Sequence, residues 1–198
     1  MIRNTAVTVC GPLNVNKLGV TYVHEHLMVK PQLPDEYYIP YTLDDEAAST
    51  EETRSFSAAG GETLVEMTPI NYGRNVKAYQ RIAQATGVHV ICCTGFHKQL
   101  FMPPWFGDKT DGELYDILMD EVTNGLDDTE IHPGVIKLGT SFEEVTAAEK
   151  RSIEAVARVH RDTGIPISTH CDKGTMGMDQ LHLLEKHGVD PKNVLLCH

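Results

Sequence analysis

His24 and His26 stand two residues apart in an apolar run, 20–28. On an extended chain both imidazoles leave the same face and Glu25 leaves the other. Two imidazoles on one face can bind a metal ion through their neutral nitrogens; a hydrogen-bonded core pair fits the same spacing. Three further polar residues sit on short apolar runs that a core alone does not require. Lys137 lies amid Val135, Ile136 and Leu138, His170 closes the run 165–170, and His198 closes the run 193–198. An ammonium in a low-dielectric cavity beside metal ions is disfavoured, so the pKa of Lys137 should fall. A neutral lysine amine can take up carbon dioxide to give a carbamate, whose two oxygens could bridge two cations. An ion pair with an inward Asp or Glu is the alternative for Lys137.

The elements that must position these residues alternate along the chain. Short β-like runs fall at 20–28, 63–67, 88–94, 134–139, 165–170 and 193–198. Helical patterns fall at 44–59, 75–86, 112–123, 147–163 and 178–187. A proline-rich loop follows the first run, and glycines 60, 61 and 87 stop the first two helices. Each run is short and apolar, as strands buried on both faces should be. Strict alternation implies parallel strands joined by right-handed crossovers, which suits an open doubly wound sheet or a (β/α)8 barrel. No glycine-rich phosphate loop opens a helix, which removes the commonest reason for the open sheet. In a barrel the C-terminal strand ends meet at one mouth. His24, His26, Lys137, His170 and His198, from four strands, would then surround one cavity, and this favours the barrel. Residues 1–198 therefore read as a single hydrolase-type barrel domain carrying strands one to six. Because a barrel needs eight strands and about 250 residues, the expectation is that the chain is incomplete at its C-terminus.

Composition narrows the function classes. Seventeen Lys and Arg against 28 Asp and Glu leave a formal charge of −11, which argues against a nucleic-acid or anionic-membrane surface. One small anionic substrate in a locally positive pocket stays open. The first twelve residues carry one Arg and no long apolar stretch, unlike a secretory signal, and nowhere do about 18 apolar residues run together. The five cysteines are odd in number, with Cys92 and Cys93 adjacent. Free thiols in a reducing cytoplasm are the better reading.

Together these residues resemble the phosphotriesterase family of the amidohydrolase superfamily. The likeness rests on His24-x-His26, Lys137, His170 and His198 in that order and spacing. It extends through Gly11-Pro12-Leu13, 21–26, Asn71-Tyr72-Gly73-Arg74 and Thr94-Gly95. The resemblance implies that His24 and His26 bind one metal and His170 and His198 a second, with carbamylated Lys137 between them. It also implies an aspartate on strand eight, which has no counterpart in this sequence. The implied chemistry is hydrolysis by a hydroxide that two divalent ions activate. Zinc is favoured by the imidazoles, and manganese or cobalt is compatible.

Lys98 and Lys173 follow the third and fifth runs and should face the mouth; solvated loop lysines are the plain alternative. The stretch 172–177 resembles the branch that opens lactones of phosphorylated sugars, and a helix start after Gly174 and Thr175 could receive an anion. Phe96, Phe101, Met102, Trp105 and Phe106 form an aromatic loop that could line the pocket, form a lid, sit in a homodimer interface or simply pack the core. Arg74 reads as structural, and His97 lies near the mouth without a matching family role. The leading expectation is a metal-dependent lactonase or ester hydrolase. A phosphotriesterase or phosphodiesterase, or a non-catalytic metal-binding fragment, are the alternatives.

Overall fold

A computed structural model of the chain describes residues 4–31, 33 and 42–198, and these divide into two compact units. The first comprises the described part of Met1–Thr68, with Tyr72–Cys93 and Asn124–Gly134. It opens on a hairpin that sequence patterning did not announce. Strand β1 (Thr5–Thr8) pairs antiparallel with β2 (Gly11–Asn14). The next elements are β3 (Thr21–Glu25), α1 (Glu46–Ala58), β4 (Thr63–Glu66), α2 (Val76–Thr86) and β5 (His89–Gly95). Cys93 of β5 is the last residue of that strand in this unit. β4 runs parallel to both neighbours, with Thr21 opposite Thr63 and Thr63 opposite His89.

Local chemistry sets the helix boundaries. Asp45 accepts from the Ala47 and Ala48 amides at the start of α1, and Asn75 accepts from the Ala78 amide at the start of α2. Gly87 ends α2 in the left-handed conformation at φ 76°. The inner side of α2, with Val76, Tyr79, Ile82 and Ala83, packs in a core with Leu27, Leu64, Val90 and Cys92.

The first expected strand is shorter than 20–28. The pairing shifts register between Tyr22 and Glu25, so His26 lies just past the strand. Nor is β3 buried on both faces: Tyr22 and Val23 are exposed, and β4 is its only strand neighbour among the described residues. Residues 32 and 34–41 of the expected proline-rich loop lie outside the described residues.

The second unit comprises Pro69–Asn71, Thr94–Thr123 and Val135–His198. Its elements are α3 (Asp111–Asn124, of which Asn124 falls in the first unit), β6 (Val135–Thr140), α4 (Ala147–Thr163), β7 (Ile167–Cys171), α5 (Gly177–Lys186) and β8 (Val194–Leu195). β7 is parallel to β6 and to β8. α4 starts on a capping box: Thr146 accepts from the Glu149 amide while the Glu149 carboxylate accepts from the Thr146 amide. Ile136, Leu138 and Ile167 pack with Ile153 and Val156 of α4 and Leu184 of α5. The ladder of the last strand is only two residues long, so His198 lies three positions beyond it. The chain still follows β7, since the Cys171 amide donates to the Cys197 carbonyl at 3.1 Å. Among the described residues no helix is long and apolar enough to cross a membrane.

Candidate metal centre

In the second unit, alternation along β6 and β7 sorts the polar residues from the apolar ones. Ile136 and Leu138 point into the core under α4, so Lys137 and Gly139 point to the other face. The ladder sets Lys137 opposite Ser168 and Gly139 opposite His170. Lys137 and His170 therefore share a face two rungs apart. Lys137 has no exposed surface, and its carbonyl accepts the Phe96 amide at 3.1 Å. Gly95, at φ 112°, allows that approach, because a Cβ there would stand 2.0 Å from the Lys137 carbonyl oxygen.

The His170 and His198 rings lie edge to face, 4.8 Å between centroids, and the His97 ring packs against His170 at 4.5 Å. Burial first, then the charges of Lys137, His198 and Lys98, push His170 down to about 3. Burial and the Lys137 charge also lower His198. A neutral imidazole is the form that binds a metal. The Nε2 atom of His170 is buried with no hydrogen-bond partner; Asp172 Oδ1 stands 4.0 Å away. Buried polar atoms are rarely left so, and a cation is a ligand that this nitrogen fits.

In the first unit, the His24 and His26 rings are 5.7 Å apart at 67°, as the same-face spacing requires. His26 Nδ1 lies 2.8 Å from the Thr68 hydroxyl, and that hydroxyl is 2.6 Å from Glu66 Oε1. Glu66 and Thr68 are both fully buried. Burial pushes Glu66 up to about 7, against the pull of hydrogen bonds from Thr68 and Leu27.

Of the expected site residues, His24 and His26 thus fall in one unit and Lys137, His170 and His198 in the other. Lys98 Nζ donates to Asp172 Oδ2 at 2.6 Å, whereas Lys173 Nζ lies over the Phe142 ring at 4.7 Å. The aromatic loop packs inward: Phe96, Phe101 and Phe106 are buried, and the Phe96 and Phe106 rings meet at 5.0 Å. Arg74 is held by Asp127 at 2.6 and 3.0 Å, which fits its structural reading. Among the described residues no group of three or more His, Cys, Asp or Glu is placed to hold a metal ion.

Sequence reasoning passed over Glu66 and Thr68, and it gave His97 no role. Glu66 was visible by the same sign that singled out Lys137, a charged residue inside an apolar strand, between Val65 and Met67.

Comparison with known proteins gives concordant matches. The model of the phosphotriesterase family matches residues 4–198. The phosphotriesterase homology protein of Escherichia coli is 34% identical over 187 residues, covering 94% of this chain and 64% of that protein. A phospho-furanose lactonase of Mycoplasmopsis synoviae is 31% identical, covering 100% of this chain and 61% of that protein. The crystal structure of a lactonase from Listeria monocytogenes superposes with a TM-score of 0.92 at 30% identity, over 98% of this chain and 65% of that one. The chain therefore spans under two thirds of the length of these relatives. Its fold class is that of the (β/α)8 barrels.

Proposed function

The chain belongs to the phosphotriesterase family, and on that premise we propose that it serves a metal-dependent hydrolase that opens lactones or related esters. The observation that carries the reading is Lys137, fully buried on the face of β6 that it shares with His170, whose Nε2 is buried without a hydrogen-bond partner. The family generally works with two metal ions. In this reading His24 and His26 would hold one ion and His170 and His198 the other, and Lys137, as a carbamate, would be a further ligand. Zinc suits this donor set, with manganese and cobalt as alternatives. Divalent ions so held would acidify water and polarise the scissile oxygen.

The chain's own residues set the conditions for that chemistry. The lowered pKa of His170 keeps its imidazole neutral. Lys98, oriented by Asp172, and Lys173 are the proposed substrate contacts. They favour a small anionic substrate, such as the lactone of a phosphorylated sugar, over a neutral triester.

The test is a metal-replacement assay on the purified protein with a phosphorylated sugar lactone, a plain lactone and an organophosphate triester. Lactone opening that chelation abolishes and zinc restores is expected, fastest on the phosphorylated compound. Lactone opening that survives chelation, or turnover of the triester alone, would overturn the reading.

A further inference from the structure

Glu66 takes no part in the ligand set, and it lies on the wrong side of its strand to be a ligand. It shares a face of β4 with Leu64, which packs in the core with Tyr79 and Ile82 of α2. A carboxylate with no exposed surface there is costly, and its contacts show what holds it. Oε1 accepts the Leu27 amide at 3.2 Å and the Thr68 hydroxyl at 2.6 Å, and Oε2 accepts the Thr68 amide at 3.0 Å. Each oxygen thus receives a backbone N–H, which marks the group as an acceptor on both sides.

With Glu66 ionised, that arrangement directs the proton of Thr68. A threonine hydroxyl has one proton to donate and lone pairs with which to accept. Its proton goes to Glu66 Oε1, so it has only a lone pair to offer His26 Nδ1, 2.8 Å away. His26 Nδ1 must then carry the hydrogen, and a neutral imidazole protonated on Nδ1 has its lone pair on Nε2.

We propose that Thr68, oriented by Glu66, is a positioning residue that sets His26 in the Nδ1–H tautomer and so presents Nε2 to a metal ion. Partners of this kind on the far nitrogen of a ligating histidine set its tautomer and its ring orientation. The inference deepens the metal-site reading above and rests on it for the role of His26. The relay itself is set by atoms of the protein alone. If Glu66 served only to bind the two amides, the Thr68 hydroxyl would have no reason to stand between its carboxylate and the ring.

The experiment reads the tautomer directly. Chelator-treated protein with 15N-labelled histidine, in mildly alkaline buffer, is examined by long-range 1H–15N NMR of the rings, with His26 assigned from His26→Gln. The wild type should show His26 with Nδ1 protonated. Thr68→Val should shift it to a mixture rich in the Nε2–H form, Glu66→Gln should shift it in the same direction, and Thr68→Ser should restore the wild-type signature. Zinc affinity, measured against a competing chelator, should fall about 10–100-fold in Thr68→Val and recover in Thr68→Ser. A wild-type His26 protonated on Nε2 overturns the relay even if Thr68→Val does not fold. So does a folded Thr68→Val with unchanged ring signals. A wild type that shows the Nδ1–H tautomer yet binds no zinc would leave the relay standing and sink the metal-site reading instead.

Discussion

An amine with no exposed surface on β6 must be neutralised, paired or modified, since a lone buried charge is among the least tolerable features of a core. The proposed carbamate makes Lys137 a ligand rather than a packing residue, and a close isostere separates the two roles. Lys137→Met keeps the volume and removes the nitrogen, so a folded chelator-treated variant isolates the loss of the ligand. Bound metal should fall at least tenfold, and added bicarbonate should not restore it. Two metals per chain and full activity in Lys137→Met would refute the bridge. Glu66 gives a prediction in pH. Its folded value of about 7 lies above the ordinary 4.5, so the folded protein holds that proton to a higher pH than the unfolded chain does, and the relay through Thr68 belongs to the ionised form above about 7. Its contribution to stability is therefore full below pH 4.5 and is lost as pH rises through about 7. The loss is roughly 3 kcal/mol for a group so completely buried. Urea unfolding of chelator-treated wild type and Glu66→Gln should show the wild type's relative stability falling across that window. A difference that stays flat with pH would mean that Glu66 is not held as described. The candidate ligands were legible because each is a polar residue on an apolar run. The relay was not, because Thr68 stands 42 positions from His26 and only the pairing of β3 with β4 brings them together.

At the scale of elements, the helices were legible and the ends of the strands were not. Asn75, Thr146, Gly87 and Gly164 announce helix boundaries through local hydrogen bonds and positive φ. The limits of β3 and β8 depend instead on how far a neighbouring strand runs, which no local residue encodes. The hairpin of β1 and β2 lacks the alternating apolar pattern by which a half-buried strand shows itself in a sequence. Glu149 shows an element boundary doing a second task. Its buried carboxylate closes the capping box of α4 and also accepts the Gln99 amide at 2.9 Å and the Ser141 hydroxyl at 2.6 Å. It ties the loops that follow β5 and β6 to the start of α4, beside Lys98 and His97. Removing the cap alone, by Thr146→Ala, should cost about 1 kcal/mol. Glu149→Ala orphans three donors, at about 1–3 kcal/mol for each that stays buried, and should cost several times as much. Chemical denaturation of the two variants decides it, and equal costs would show that the loop contacts are idle.

At the scale of the whole molecule, most of the buried apolar residues among those described fall into two clusters. One gathers Leu64, Tyr79, Ile82 and Val90, and the other gathers Leu114, Ile136, Ile153 and Val156. Each cluster lies within one of the two compact units. Sequence periodicity marked both helices that carry these residues, but it could not show that α2 and α4 serve different cores, because periodicity reports a buried face and not its partner. The division has an energetic consequence. Ile82 and Ile153 are both fully buried, so truncating either to alanine should cost about 2–5 kcal/mol through lost burial and the cavity left behind. Local opening follows local packing, so the loss should appear first in the unit that contains the cavity. Native-state hydrogen exchange provides the reading. Ile82→Ala should lower protection of the amides of β4 and α2 while leaving those of β6, β7 and α4 near their wild-type values, and Ile153→Ala should do the reverse. Mutations with no shared partners add in their effects to within about 0.5 kcal/mol, so the double variant should show both losses side by side. Equal loss of protection along the whole chain from either single variant would mean that the two cores open as one, and the separation into two units would then carry no energetic weight.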